Sequence, residues 1–318
     1  MLRLLLTLAC LALPNSPRLF AADAGIAKVN WSEVRDKLSA ALAKRASEKV
    51  AASPRIENWD EVESFALDLR ARSLLLKKKS GLNEAVSNAV LDACQSLAEA
   101  ILSLEASRDL VRKSGILKDT AGRGWGTSQV QSFAGLRLSN VLELDLTGGA
   151  LVALAEYLPL ARGVHEAHYE QVLGTAVETL DYWIQFFMEE HPTYGPYFRK
   201  FGIAGEPFRD QLFFSSDAQM ALALWLVSRE LRAKGLEKKA GEFETLSLRL
   251  ARQIQTGVTE PVLSGKSVNA DLWFQGFIQV RSNAKPSRSE DAARAAPVLD
   301  LVSTFQKNNI SYGNKTLF

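Results

Sequence analysis

The sequence predicts an all-α fold in which a buried layer of helices is enclosed by an amphipathic layer. Two segments, Thr147–Leu158 and Ser216–Val227, are apolar on nearly every helical face, which in a chain of ordinary globular composition predicts burial on every side. The segments Tyr169–Phe187 and Glu237–Ile254 instead carry one apolar face each, as surface helices do. Buried and surface helices therefore alternate along the chain, which indicates two layers, one inside the other.

Residues 25–115 predict three helices in an N-terminal antiparallel layer. The segment Asn30–Glu33 has the spacing of a capping box, and apolar residues then recur on one face up to Val50. Residues 58–61 repeat the capping pattern ahead of a second helix, and the lysines at 77–79 lie at its C-terminal end, where cations meet the helix dipole favourably. A third helix is predicted from Leu82 to Val111, before Gly115.

Residues 116–318 predict helical-hairpin repeats with long loops at one end. Polar residues that can cap a helix recur at Thr147, at Ser215 or Ser216, and around Ser289, about seventy residues apart. Pro297 predicts that the last buried helix starts at or just before it. No surface helix is predicted after that helix, so either the repeat is left open or the sequence is a fragment. Residues 25–318 are predicted to form one domain.

Residues 1–24 have the pattern of an export signal, which predicts a periplasmic or secreted protein. Arg3 supplies the positive start, Leu4–Leu13 the apolar run, and the sequence Ala-Asp-Ala at 22–24 a cleavage site. The apolar run is well short of the roughly 20 residues that span a bilayer, so no stable membrane insertion is expected after cleavage. Cys94 is then the only remaining cysteine, so an internal disulfide is excluded. Its side chain is predicted to pack in the core.

The charge balance argues against a nucleic acid as the main partner. Among 318 residues, 38 are Lys or Arg and 36 are Asp or Glu, which leaves a net charge of +2. A protein that binds the phosphate backbone of DNA or RNA needs a larger excess of Lys and Arg over Asp and Glu. Any preference for an anionic ligand must therefore come from a local group of residues, and the sequence leaves the oligomeric state open.

The loop from His191 to Phe214 holds the richest set of candidate site residues. Tyrosine faces can stack on sugar rings, and arginines pair with carboxylates, which uronic acid polymers carry in every residue. A lyase needs a base to remove the proton beside the carboxylate, and Tyr194, Tyr197 or His191 can supply it. It also needs a cation for the developing charge, which Arg199 or Arg209 can supply. The alternative is a loop that its own aromatic residues and prolines hold in place.

Asp145 and Asp217 occupy matching positions near the starts of the two buried helices. Their carboxylates can both face one cleft, as the acid pair of a glycoside hydrolase requires. The alternative for each is structural, because an aspartate near a helix N-terminus bonds to backbone N–H groups and meets the helix dipole favourably. For Asp217 in particular, capping is the preferred interpretation.

No metal or other cofactor is predicted. His165 and His168 are separated by three positions instead of the four that a zinc-binding helix needs, and no third ligand is apparent, so a solvated helix start is preferred. Gly122, Gly124 and Gly126 lack the strand and the Lys-Ser/Thr of a phosphate-binding loop. They indicate a surface loop that carries Trp125.

The alternation of buried and amphipathic helices, with aromatic loops before the buried ones, resembles the (α/α) toroid superfamily of secreted polysaccharide-active proteins. The likeness rests on the Gly-Trp-Gly at 124–126 ahead of residues 144–151, and on the Phe-Phe-Ser-Ser-Asp at 213–217 ahead of residues 218–226. It covers roughly residues 122–305. Complete toroids have six hairpins, and the mature chain has room for roughly four or five. The resemblance therefore implies an incomplete double-layered toroid.

This superfamily includes alginate and chondroitin lyases, glucuronyl C5-epimerases and six-hairpin glycosidases. The resemblance implies an exported protein that binds an anionic polysaccharide at the loop end of its inner helices, with Trp125, Arg199 and Trp273 as substrate-binding residues. A lyase or epimerase reaction is favoured over glycoside hydrolysis by a carboxylate pair. The remaining alternative is a non-catalytic helical scaffold or binding protein of the cell envelope.

Overall fold

The fold is described from a computed structural model of the chain. The described residues are 61–78, 82–105, 123–127, 131–133, 136–138, 141–192, 195–199, 211–254, 258–259, 273–274, 277–279 and 292–310. The predicted export signal at 1–24, the first predicted helix and Cys10 lie outside these residues. Tyr194 and Arg209 lie outside them as well.

Seven helices in the described residues confirm the predicted all-α class. They are α1 (Glu61–Lys77), α2 (Glu84–Ser103), α3 (Leu144–Ala161), α4 (Glu166–Phe187), α5 (Phe214–Ala233), α6 (Glu237–Ile254) and α7 (Ala292–Lys307).

Helices α1, α3, α5 and α7 lie side by side in that order and form an inner row. α3 packs against α1 and α5, and α5 also packs against α7. From Ala150 to Leu158 every residue of α3 is buried, and α5 is buried almost as continuously from Ser216 to Leu231. A helix that is apolar on all sides is most stable where other helices surround it, because its apolar surface is then removed from water. The middle of the inner row is such a position.

Helix α3 is also the one described helix that is long and apolar enough to cross a membrane. In the structure 72% of that apolar window is buried against other parts of the protein. Its apolar surface is thus covered by neighbouring helices, as in a core helix.

Helices α2, α4 and α6 each pack against the inner helix that precedes them in the chain. Their buried residues follow one face; in α6 these are Ala240, Phe243, Leu246, Ser247, Leu250, Ala251, Gln253 and Ile254. Charged residues cover the opposite face, where Lys239 of α6 pairs with Asp181 of α4. This distribution is the one expected of surface helices, since the apolar stripe meets the inner row and the charges remain in water. Cys94 lies in α2 and is fully buried, as predicted.

Short antiparallel strand pairs connect the helices within the described residues. The strands are β1 (Gly126–Thr127), β2 (Gln131–Phe133), β3 (Leu136–Leu138), β4 (Val141–Leu142), β5 (Met188–His191), β6 (Gly195–Phe198), β7 (Gln211–Phe213), β8 (Val258–Thr259), β9 (Trp273–Phe274) and β10 (Phe277–Gln279). β1 pairs with β4, β2 with β3, β5 with β6, β7 with β10, and β8 with β9. Strand β4 leads directly into α3 and β7 directly into α5, so strand pairs fix the start of two inner helices.

The inner helices start earlier than the polar residues predicted. α3 begins at Leu144 instead of Thr147, and α5 begins at Phe214 instead of Ser216; the preceding residues make no side-chain capping bond. α7 begins at Ala292, which places Pro297 inside the helix and makes the predicted start at Pro297 wrong. The strands cause the first two shifts, because they hold the chain up to the first helical residue and no side-chain cap is needed to define the start.

Candidate functional site

The starts of α3 and α5 meet at one end of the inner row. One outer helix separates them in the chain, so both run in the same direction, and the hydroxyl of Ser216 donates a hydrogen bond to the carboxylate of Asp145. The strand pairs β1–β4, β5–β6 and β7–β10 gather at this end, because each adjoins the start of α3, the end of α4 or the start of α5. We call this end of the molecule the loop end.

Trp125 is a core residue of the loop end. Its side chain is fully buried, and its indole N–H donates to the carbonyl of Ile101 at 2.7 Å. The Thr147 hydroxyl accepts from the Trp125 backbone N–H at 3.1 Å and donates to its carbonyl at 2.9 Å. Gly124 before it has φ of +129°, and a Cβ there would lie 2.8 Å from the Thr147 hydroxyl. The ring of Trp125 therefore offers no face to a sugar in this structure, in contrast to the predicted stacking role.

The β5–β6 hairpin carries the described part of the predicted binding loop. His191 at the end of β5 is half-buried and stands opposite Gly195, whose φ of +83° suits glycine at the start of β6. Tyr197 is buried, with 6% of its surface exposed, which leaves little of this residue accessible to a substrate.

Arg199 follows β6 and binds the hairpin itself. Its guanidinium lies over the Phe187 ring, 5.1 Å from the centroid, and its Nε lies 3.6 Å from a carboxylate oxygen of Glu189. The guanidinium also donates to the carbonyl of Phe186. The guanidinium that was predicted to bind a ligand is thus paired with the end of α4 and with β5, and these contacts give it a structural role.

Asp217 is fully buried in the first turn of α5 and bonds to two neighbouring elements. Its Oδ1 accepts the backbone N–H of Phe198 in β6 at 3.0 Å, and its Oδ2 lies 3.5 Å from the amide nitrogen of Gln253 in α6. Burial, helped by the nearby Asp145 and opposed by these two donors, raises the pKa of Asp217 from 3.8 to about 8. At neutral pH the carboxyl group is therefore mainly protonated.

Asp145 and Asp217 are neighbours, but they differ in access. Asp145 is half-buried and accepts the Ser216 hydroxyl, whereas no surface of Asp217 reaches solvent. The carboxyl of Asp217 bonds to β6 and to α6, so it does not serve as the predicted cap of α5. A substrate cannot contact Asp217 in this arrangement, and the pair does not form an accessible acid and base.

The remaining predicted site residues are only partly described. Tyr194 and Arg209 lie outside the described residues, and Trp273 is described only through the backbone pairing of β9 with β8. Their place at the loop end stays a prediction. The β9–β10 segment adjoins this end, because β10 pairs with β7 immediately before α5.

Within the described ranges, no group of three or more His, Cys, Asp or Glu residues is placed to hold a metal ion. His165 precedes α4 and Glu166 accepts the backbone N–H of Gly163 at 3.0 Å, so this segment forms a helix start as predicted. His168 is buried against Tyr157, with 5.7 Å between ring centroids, and burial lowers its pKa. The histidine is consequently neutral and packed in the protein at neutral pH.

A charged cluster at the opposite end of the inner row was not predicted. Arg70 of α1 donates from Nε and Nη2 to Glu156 of α3, at 3.1 and 3.0 Å, and from Nη1 to Asp300 of α7 at 3.2 Å. The sequence contained one usable signal, because Glu156 is the lone charge in the apolar segment Thr147–Leu158 and such a charge needs a partner. The partner itself was not identifiable from spacing.

Comparison with known proteins found no matching family model, no matching curated protein and no matching solved structure.

Proposed function

We propose that this chain is an exported protein with an incomplete double-layered (α/α) toroid, and that it binds an anionic polysaccharide at the loop end. The observation that carries the proposal is the meeting of the α3 and α5 starts, joined by Ser216 and Asp145 and surrounded by three strand pairs. The inner row of α1, α3, α5 and α7, each of the first three covered by the next helix, supports the toroid. In such an assembly the loops before the inner helices face one common surface.

The proposed ligand surface consists of the β5–β6 hairpin tip and the half-buried side chains beside it. His191 lies at the tip, and Asp145 lies at the start of α3. Our candidate for the cation that binds a uronate is Arg209, because Arg199 is engaged with Phe187 and Glu189. Trp273 and Tyr194 are the candidate stacking residues, since Trp125 is in the core.

A lyase or epimerase reaction requires a base at this surface. His191 is the candidate among the described residues, because Tyr197 is buried and His191 is half-exposed at the hairpin tip. It would remove the proton on the carbon that bears the uronate carboxylate, while Arg209 stabilises the negative charge that develops there. β-Elimination then expels the glycosidic oxygen on the adjacent carbon, whereas epimerisation returns a proton to the opposite face.

The test uses the purified protein and polymers of uronic acids, with a neutral glucan as control. We expect retarded migration in affinity electrophoresis with a polyuronate and not with the glucan, together with new ultraviolet absorbance from unsaturated uronate if elimination occurs. His191→Gln should lose the product and keep binding. Glu170→Gln at the opposite end of α4 is the control and should keep both. Absence of binding to every polyuronate contradicts the proposal.

A non-catalytic binding protein of the same architecture is the second candidate. It is favoured by the structural contacts of Trp125, Tyr197, Arg199 and Asp217, which occupy four of the predicted site positions with packing and hydrogen bonds. Polyuronate binding without product, unchanged in His191→Gln, is the result that identifies it. The burial of Asp217 leaves a glycoside hydrolase that uses the Asp145–Asp217 pair without support.

A further inference from the structure

The β5–β6 hairpin is held at the loop end by contacts with three helices. It continues directly from α4, and the Arg199 backbone N–H closes it by donating to the carbonyl of Phe187 at 2.9 Å. Glu190 of β5 pairs with Arg249 of α6, and β6 packs against both α5 and α6. The buried group at this junction is the carboxyl of Asp217, which bonds to the backbone of β6 and to Gln253 of α6.

We propose that Asp217 is a positioning residue, whose buried carboxyl anchors the β5–β6 hairpin to α5 and α6 and so fixes the hairpin tip that carries His191. Asp217 accepts the backbone N–H of Phe198, and a buried backbone donor that loses its acceptor destabilises the arrangement that holds it. The hairpin must therefore shift or open when that acceptor is removed. The ligand-binding consequence rests on the proposed function, but the anchoring itself does not.

The same geometry makes the anchor sensitive to pH. Asp217 is fully buried, and in the part of the chain that the structure describes the charged side chain that faces it is Asp145 of α3, while β6 and α6 present the Phe198 N–H and the Gln253 amide. Ionisation would place two carboxylates beside each other with little water between them. Opening of the hairpin exposes Asp217 to water and relieves this repulsion. The pKa of Asp217 is therefore lower in the open hairpin than in the closed one, and opening becomes easier as the pH rises between these two pKa values.

The experiment measures amide hydrogen exchange of the hairpin in the full chain without any ligand. In Asp217→Ala we expect the Phe198 amide and its β5 neighbours to exchange about tenfold faster or more, because the acceptor is gone. Asp217→Asn retains an acceptor oxygen and should stay within about threefold of wild type near pH 5. Asp181→Asn, a change of the same chemistry on the outer surface of α4, should leave the hairpin unchanged.

The pH profile separates anchoring from a general loss of packing. After correction for intrinsic exchange, protection of Phe198 in the wild type should fall about tenfold or more between about pH 5 and 8, and Asp217→Asn should show little of this fall. Unchanged hairpin exchange in Asp217→Ala, or a wild-type pH profile in Asp217→Asn, overturns the proposal. If Asp217→Ala does not fold, the pH profile of hairpin exchange in Asp217→Asn still tests whether Asp217 anchors the hairpin.

A ligand arm distinguishes this inference from the proposed function. If the wild type binds a polyuronate, Asp217→Ala should weaken binding in parallel with the faster exchange of the hairpin. If the wild type binds none, the proposed function fails while the exchange data still test the anchor.

Discussion

At the scale of single residues, a polar side chain near a helix start can bond to a neighbouring element, as it does at Thr147, Ser216 and Asp217. Each helix begins about one turn before these residues, so their side chains point sideways from the first turn instead of back over the helix end. Thr147 bonds to the backbone of Trp125, Ser216 to Asp145, and Asp217 to β6 and α6. Their role is to hold elements together where loops meet the inner row.

The buried carboxyl of Asp217 makes the stability of the fold depend on pH. Its pKa is raised by burial from 3.8 to about 8, so between these values the unfolded chain releases a proton that the folded protein retains. The free energy of unfolding therefore falls as the pH rises from about 4 to about 8 and levels off above the folded pKa.

We expect Asp217→Asn to lack this contribution, because the amide keeps the acceptor for Phe198 and does not ionise. Relative to wild type, its free energy of unfolding should rise by roughly 1–3 kcal/mol between pH 4 and pH 8. Denaturant unfolding at a series of pH values measures it, with Asp181→Asn as the matched control. A constant difference between Asp217→Asn and wild type across this range would contradict the assignment.

At the scale of helices, Gly148 allows a close contact between α3 and α5. A Cβ at this position would lie 2.8 Å from the Cβ of Gln219 and 3.1 Å from its Oε1, which is closer than packed side chains allow. At Gly149, on the next position of the same helix, the nearest atom to an added Cβ is the Gln219 amide nitrogen at 4.0 Å. The two glycines thus differ in packing while sharing one helix and one neighbour.

Gly148→Ala should destabilise the protein by roughly 1–3 kcal/mol, because α3 and α5 must separate to admit the methyl group. Gly149→Ala should be neutral or stabilise it by about 0.5–1 kcal/mol, since alanine favours the helix and has room there. Thermal or denaturant unfolding of the two variants measures both changes in the free energy of unfolding. Equal effects of the two substitutions would show that the helices do not approach as described.

At the scale of the whole molecule, Arg70 joins the two ends of the inner row. It lies on α1, the first helix of the row, and binds Asp300 on α7, the last, as well as Glu156 on α3. The side chains of Arg70 and Glu156 retain 23% and 10% of their exposure, so the pair is partly shielded from water. The ion pair therefore places α1 and α7, the first and last helices of the row, close to each other.

Arg70→Met should cost roughly 1–3 kcal/mol in the free energy of unfolding, because Glu156 keeps its charge and loses its partner. The double variant with Glu156→Met should recover part of this loss, since an apolar pair of similar volume avoids the unpaired charge. Arg232→Met removes an exposed ion pair with Glu244 and is the control, with an expected change within about 0.5 kcal/mol. A cost for Arg70→Met no larger than that of the control would exclude a role for Arg70 in joining the row.

Much of the helical architecture was predictable because periodicity reports how each helix is buried. The all-apolar segments became α3 and α5 in the inner row, and the amphipathic segments became α4 and α6 on its surface. Cys94 and the His165–Glu166 helix start also followed from local pattern. The helix starts were less accurate, because short strands, which pair with distant residues, set them at Leu144 and Phe214.

The sequence by itself thus determined that the protein is all-α and which helices are buried, because both depend on the pattern of apolar residues within one segment. Only the tertiary structure decided which polar residues meet. It placed Trp125 in the core, Arg199 on Phe187, and Asp217 between β6 and α6, and it joined Arg70 to two other helices. Such contacts link residues far apart in the chain, and the spacing within a segment carries no information about the partner that another segment brings.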